Sequence, residues 1–152
     1  MTFPEIVEYI NENFKQDFVP TGEDAPAIHI QVSSDDWKEL APFLRNDDKL
    51  FFDSMMCITG LDEGEAEEDL TAIYNLFSMK NLHKLEVRIS SPKSDPVIPS
   101  VEQIWRVADW FEREVFDMFG IKFEGHRDLR RILLPEDWEG FPLRKDYQFP
   151  ET

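Results

Sequence analysis

The chain has 152 residues and carries 32 acidic against 16 basic side chains, for a formal net charge of -16. That length suits one domain with a core of ordinary size. The acidic balance argues against nucleic acid, whose phosphates call for a basic face, and against direct docking on anionic lipid. A single cysteine, Cys57, excludes a disulfide framework and the four thiolates of an iron–sulfur cluster held by this chain alone.

In chain order, Ile6, Val7, Ile10 and Phe14 give residues 3–18 a helical spacing. A polar, Pro-marked loop follows over 20–26. Residues 27–32 alternate Ile28, Ile30 and Val32 with His29 and Gln31, as a short strand does. A second helix is expected over 34–44, with Ser34 as its N-cap and Asp35 and Asp36 at the positive end of its dipole. Pro42 weakens its last turn. Residues 50–61 and 70–79 read as the strands of a hairpin joined by the acidic run 62–69. A further strand over 83–89 places Leu85, Val87 and Ile89 on one face and Glu86 and Arg88 on the other.

A Pro-rich connector over 91–99 leads to the main helix, expected over 100–119, with Ser100 and Gln103 as a capping box and Gly120 past its end. Beyond Gly125 the pattern supports one short helical turn around 128–133, then two Pro-marked loops. The expected architecture is α+β: a small, mostly antiparallel sheet packed with helices over 1–121, followed by an extended C-terminal segment, 122–152, that docks on a partner. Charge divides along the same line. Residues 1–121 hold 25 acidic and 10 basic side chains, whereas 122–152 hold 7 and 6.

Four features invite a chemical reading. The acidic run over 62–69 lacks the alternating Asp/Asn ligands and closing Glu of an EF-hand loop, so it reads as a solvated hairpin tip. Glu112 and Glu114, two positions apart on a helix, face different ways. They are expected in structural ion pairs, as is Asp109 with Arg113, and not in a shared catalytic pocket. None of the three histidines, His29, His83 and His126, has a second ligand at metal-binding spacing. Cys57 lies among Met55, Met56 and Ile58, the setting of an inert buried thiol. No Gly-rich nucleotide loop is present. The reading assigns this chain no catalytic, cofactor-binding or metal-binding residue.

What remains is interface chemistry. At about 100° per residue, Ile104, Ala108, Phe111, Val115 and Met118 form one stripe of the main helix, most simply core. Trp110 falls away from it, near Arg106, Arg113 and Asp117, where either the C-terminal segment or a partner covers it. Residues 112–147 are dense in aromatics and in charges of both signs, and aromatic and Arg side chains are the favoured anchors of interfaces. The segment from 122 holds too many large apolar residues for a solvated tail, while Pro135, Gly140 and Pro142 prevent a long helix. The expected partner-binding set is Trp110, Arg113, His126, Arg130, Arg131, Trp138, Arg144, Lys145 and Tyr147. Roughly the last two dozen residues are expected to be poorly ordered until a partner binds.

Glu112-Arg113-Glu114, Asp117-Met118-Phe119-Gly120, Gly125-His126, Asp128-Leu129-Arg130-Arg131-Ile132-Leu133 and Pro142-Leu143-Arg144-Lys145-Asp146-Tyr147 follow one another in order. Together they closely resemble the signature of the 30-kDa-type subunit, also called the C-type subunit, of respiratory NADH:quinone oxidoreductase (complex I). Arg127 departs from the family, which commonly has Pro there, and Phe141 stands where a His or another polar or aromatic residue is frequent. The tail over 149–152 is shorter than in many members. Upstream, the order of helices and strands is also similar.

The resemblance implies a peripheral-arm subunit of a proton-translocating complex, with no redox cofactor of its own. It implies two protein partners. One is the D-type subunit, which resembles a hydrogenase large subunit and helps form the quinone site. The other is the neighbouring B-type iron–sulfur subunit. Electrons would pass from NADH through iron–sulfur clusters to quinone on other subunits. This chain would sit at the cytoplasmic face of the cell membrane and touch it only through the complex. The acidic start, without a basic n-region, and the lack of any apolar run near ~20 residues agree with that placement. The equivalent subunit of a related membrane-bound hydrogenase, or of a ferredoxin- or F420-linked dehydrogenase, would read similarly. A stand-alone hydrolase using His126 and Asp128 lacks a convincing nucleophile and base, and a soluble acidic regulatory module is the remaining alternative.

Overall fold

The computed structural model describes residues 1–22 and 28–150. The loop expected over 20–26 and the first residue of the strand expected over 27–32 lie largely outside the described residues.

Helix α1 (Phe3–Phe14) begins with a reciprocal capping box. The Thr2 hydroxyl accepts from the Glu5 N–H, and the Glu5 carboxylate accepts from the Thr2 N–H at 2.7 Å. It buries Ile6, Val7 and Ile10 and ends at Lys15, whose φ of 51° leaves the helical region. The helix expected to reach 18 therefore stops a turn early, and the Asn11 side chain holds the Phe18 backbone instead. Strand β1 (Ile30–Gln31) is short. Helix α2 (Ser34–Asn46) is capped by Ser33, whose hydroxyl accepts from the Asp36 N–H at 3.1 Å. The cap thus falls one residue before the expected Ser34, and the helix continues past Pro42.

Strands β2 (Ser54–Leu61), β3 (Asp69–Ser78) and β4 (His83–Pro92) form an antiparallel meander, and β1 joins β4 in parallel, giving the order β1-β4-β3-β2. The α+β, mostly antiparallel expectation holds. Alternate residues of β3 and β4 are buried, among them Leu70, Tyr74, Leu76, Leu85, Val87 and Ile89. Alternation is how a sheet with one covered face is written. Helices α1 and α2 pack against β4, and Trp37 of α2 meets Tyr74 with ring centroids 4.9 Å apart.

Beyond β4 the structure departs from the expectations. The connector over 91–99 contains strand β5 (Val97–Pro99), which pairs in parallel with β6 (Lys122–Glu124). The anticipated boundary at 121/122 is therefore crossed by a sheet. The main helix is α3 (Ala108–Phe119), not 100–119. Residues 101–107 make successive turns, and the Trp105 indole N–H donates to the Phe52 carbonyl at 2.7 Å. No side chain caps α3 in the way expected of Ser100 and Gln103. Gly120 does end α3, with φ 79°. No helical turn forms around 128–133.

Helix α3 packs on β2. There Gly60 lets the Phe119 ring lie against the strand, since a Cβ at Gly60 would stand 2.3 Å from that ring. No helix among the described residues is long and apolar enough to cross a membrane.

Candidate docking surface

After β6 the chain has no regular structure, yet it is not a free tail. Two buried carboxylates clasp it. Asp117, on the last turns of α3, has a fully buried side chain. Its Oδ1 pairs with the Arg131 guanidinium at 2.7 Å, and its Oδ2 accepts from the backbone N–H groups of Ile132, Leu133 and Leu134 at 3.1, 2.7 and 3.0 Å. Burial alone would raise the Asp117 carboxyl, but Arg131 and these amides outweigh it and hold it below the ordinary carboxylate range.

Asp62 is the second clasp. It pairs with Lys93 at 2.8 Å and accepts from the backbone N–H of Gly64 and, 83 residues on, of Lys145 at 2.8 Å. Burial opposes ionisation here too, and Lys93 with the Lys145 and Gly64 amides wins, so its carboxyl is held low. Between the clasps the Leu143 N–H donates to the Met118 carbonyl at 3.0 Å. The residues expected to be poorly ordered form a strap bound across α3 and the β2–β3 loop, because the chain supplies its own acceptors for the strap's amides.

The nine anticipated docking residues divide by environment. Arg131, with 10% of its side chain exposed, is an internal tie. Besides Asp117 it donates to the carbonyls of Trp138 at 3.0 Å and Gly140 at 2.7 Å, and it lies over the Phe141 ring at 4.9 Å. Arg113 is buried and donates to the carbonyls of Arg130 and Arg131 while resting 5.1 Å from the Trp110 ring centroid. The His126 ring is enclosed, with Nε2 2.9 Å from Asp109. Its Nδ1 accepts from the Asp128 N–H at 3.0 Å, which places the ring hydrogen on Nε2. Arg144 is largely covered, pairing with Asp146 and donating to the Lys93 carbonyl.

Trp110, Arg130 and Lys145 face solvent, and Trp138 and Tyr147 are half-buried. Among the described residues, Arg130 pairs with Asp128. The Trp138 indole N–H has no acceptor within the described residues. Trp110, Leu133, Leu143 and Phe149 add exposed apolar surface along the strap and the adjoining helix. The structure thus brings Trp110, Arg113, Arg130, Arg131 and Trp138 together and puts Arg144 and Lys145 at the far end.

Two expected ion pairs do not form among the described residues. Asp109 faces His126 and not Arg113, and Glu112 is bonded to Ser100 and Val101 and not to a cation. Sequence reasoning misses the clasps Asp117 and Asp62. Asp117 stands inside the family-like motif, whereas nothing local marks Asp62, because its strap partner is so distant in sequence.

Glu102, Asp109 and His126 place ligand atoms within 4.8 Å of one another. They do not suit a metal. Glu102 takes the Arg127 guanidinium at 2.8 Å, and both ring nitrogens of His126 already have partners. A groove of about 530 Å³ is lined by Met1, Phe3, Ile28, Met56 and Leu82 with His83, Lys84 and Glu86 at hand, and no serine, threonine or cysteine hydroxyl or thiol lines it among the described residues.

The fold, the strap and the clasped motif together mark a family module. The chain belongs to the respiratory-chain NADH dehydrogenase 30 Kd subunit family, whose model matches residues 30–152. It is 51% identical over 119 residues to the C-type subunit of NADH-quinone oxidoreductase from Chloroherpeton thalassium, covering 78% of this chain and 49% of that protein. With the corresponding NADH-quinone oxidoreductase subunit of Chlorobium phaeobacteroides it shares 48% identity over 133 residues, covering 87% and 79%. The chain therefore spans about half the length of the first of these relatives.

Among solved structures, a trypsin-resistant fragment of Nqo5 superposes with a TM-score of 0.70 at 25% identity, covering 85% of this chain and all of that fragment. A chain of the membrane-bound sulfane sulfur reductase, an archaeal respiratory membrane complex, superposes with a TM-score of 0.78 over 95% of this chain and 85% of its own. At 24% identity that likeness speaks to the fold alone.

Proposed function

We propose that this chain is a non-catalytic peripheral-arm subunit of a proton-translocating NADH:quinone oxidoreductase at the cytoplasmic face of the membrane. Its strap docks on the hydrogenase-large-subunit-like subunit that forms the quinone site, beside the terminal iron–sulfur subunit. Electron transfer from NADH through the clusters to quinone takes place on those neighbours, and this chain holds the quinone-site subunit in place.

The observation that carries this reading is the strap itself. Asp117 and Asp62 fix a segment of irregular backbone whose outward side presents Leu133, Leu143 and Phe149, beside Trp110 on α3. A pre-ordered surface of aromatic and aliphatic side chains loses little entropy on binding. The unpaired Trp138 N–H and the exposed Arg130 add polar groups able to set register. Tagging the native chain, solubilising membranes in mild detergent and identifying what co-purifies tests the assignment. The expected companions are the quinone-site, iron–sulfur and NADH-binding flavoprotein subunits. Companions from a hydrogenase or a ferredoxin-linked complex, or none, would contradict it.

A further inference from the structure

Glu112 sits in the second turn of α3 with no exposed surface. Its carboxyl meets only neutral donors: the Ser100 hydroxyl lies 2.8 Å from both oxygens, and the Val101 N–H lies 2.8 Å from Oε1. Through these contacts Glu112 ties the start of the crossover over 100–107 to the helix. The Ser100 hydroxyl in turn accepts from the Glu102 N–H at 3.2 Å.

The charged and titratable groups around Glu112 do not supply a counter-ion. On α3, Asp109 is acidic and one turn away, and the Arg113 guanidinium is turned toward the carbonyls of Arg130 and Arg131. On the crossover, Glu102 is acidic and holds Arg127. After β6, His126 is engaged with Asp109. From β3, Tyr74 is fully buried, and burial first and then the nearby Glu112 raise its phenol. From α2, Trp37 brings a neutral indole beside Tyr74. Tyr74 Oη and Trp37 Nε1 are both buried, and the Trp37 indole N–H lies close enough to the phenol oxygen to favour its ionised form slightly.

A carboxylate in such a place is costly, because burial and two acidic neighbours disfavour its charge and no cation repays it. The neutral acid is the form that suits the site. Its own O–H then has the Ser100 oxygen within reach.

We propose that Glu112 is a reversible proton-binding site whose neutral form secures the crossover over 100–107 against α3 and whose charged form loosens it. Burial, first, and then the charges of Glu102 and Asp109 push the carboxyl up to about 8 against the two donors that favour its ionised form. The crossover leads directly into the exposed Val107 and Trp110, so the protonation state biases the edge of the docking face. The inference stands on the interior geometry and does not depend on what docks there.

Two readouts on the full chain test it. In protein labelled with ¹³C at the glutamate carboxyl, one resonance should titrate near 8, well above the other glutamates, and be absent in Glu112→Gln. When opening the crossover frees Glu112 to an ordinary carboxylate value, hydrogen-exchange protection of the Val101 amide should fall roughly tenfold per pH unit up to the elevated value and then level off. In Glu112→Gln, whose amide oxygen still accepts from Val101, that protection should be flat with pH. If Glu112 titrates with the other glutamates, or if wild type and variant share one exchange profile, the proposal is overturned. Should the variant not fold, the carboxyl titration of the wild-type chain decides alone.

Discussion

Asp117 and Arg131 are joined at 2.7 Å across the end of α3, and between them they hold the strap's backbone from both sides. The carboxylate gathers three successive backbone amides, and the guanidinium gathers two carbonyls seven and nine residues on. One buried ion pair thereby fixes the backbone from Arg131 to Gly140.

Removing one partner leaves the other buried and unpaired. Asp117→Ala is expected to destabilise the chain by about 3–5 kcal/mol, the usual cost of breaking a buried pair. Chemical denaturation measures this, and hydrogen exchange should show protection lost at Ile132, Leu133 and Leu134. Arg131→Lys should also lose the strap, because an ammonium cannot reach Asp117 and two carbonyls from one planar fork.

Gly120→Ala should cost about 1–3 kcal/mol, because a non-glycine residue is forced into the left-handed region and its Cβ would stand 2.6 Å from the Phe141 ring. Gly125→Ala is the control. That residue also has a positive φ, 88°, but nothing within 4 Å of its added Cβ. The difference in denaturation midpoint between the two variants isolates the clash with Phe141, and Gly120→Ala should be the less stable.

Stability should fall on both sides of a mildly acidic optimum. Asp62 and Asp117 lie below their ordinary 3.8, so the stability they contribute is present above that value and is lost as pH falls through their depressed range. Glu112 is raised from 4.5 to about 8, so its contribution is complete below 4.5 and is lost as pH rises toward 8, beyond which it changes no further. Melting temperature measured across pH should show both limbs. Glu112→Gln should flatten the alkaline limb alone, and Asp62→Asn should shallow the acid limb alone.

The legible parts of the fold are those written in local pattern. Leu85, Val87 and Ile89 announce a strand with one buried face, and Ile6, Val7 and Ile10 announce a helix stripe. Periodicity overextends the main helix because Ile104, Trp105 and Ala108 keep a helical rhythm through turns that are not helix. Ser100 and Val101 are instead bonded to Glu112, twelve and eleven residues on, and periodicity carries no trace of that contact. The residues expected to dock mix environments in the fold. Arg131 and Arg113 read as interface anchors because Arg is common at interfaces, yet buried carbonyls and Asp117 claim them first. The order of the strap is illegible because its fastening at Asp62 joins residues 83 apart.

Docking through the strap is tested most directly by assembly of variants whose folds stay intact. Trp110 and Leu133 are exposed on the proposed face, and Met79 and Leu82 are equally exposed apolar residues at the β3–β4 turn. With Trp110→Ala combined with Leu133→Asp, the chain should keep its wild-type denaturation midpoint and fail to co-purify with the quinone-site subunit. Met79→Asp combined with Leu82→Asp should co-purify normally. Normal assembly of the first variant would contradict the account, and loss of assembly in the second would move the interface to the β3–β4 turn.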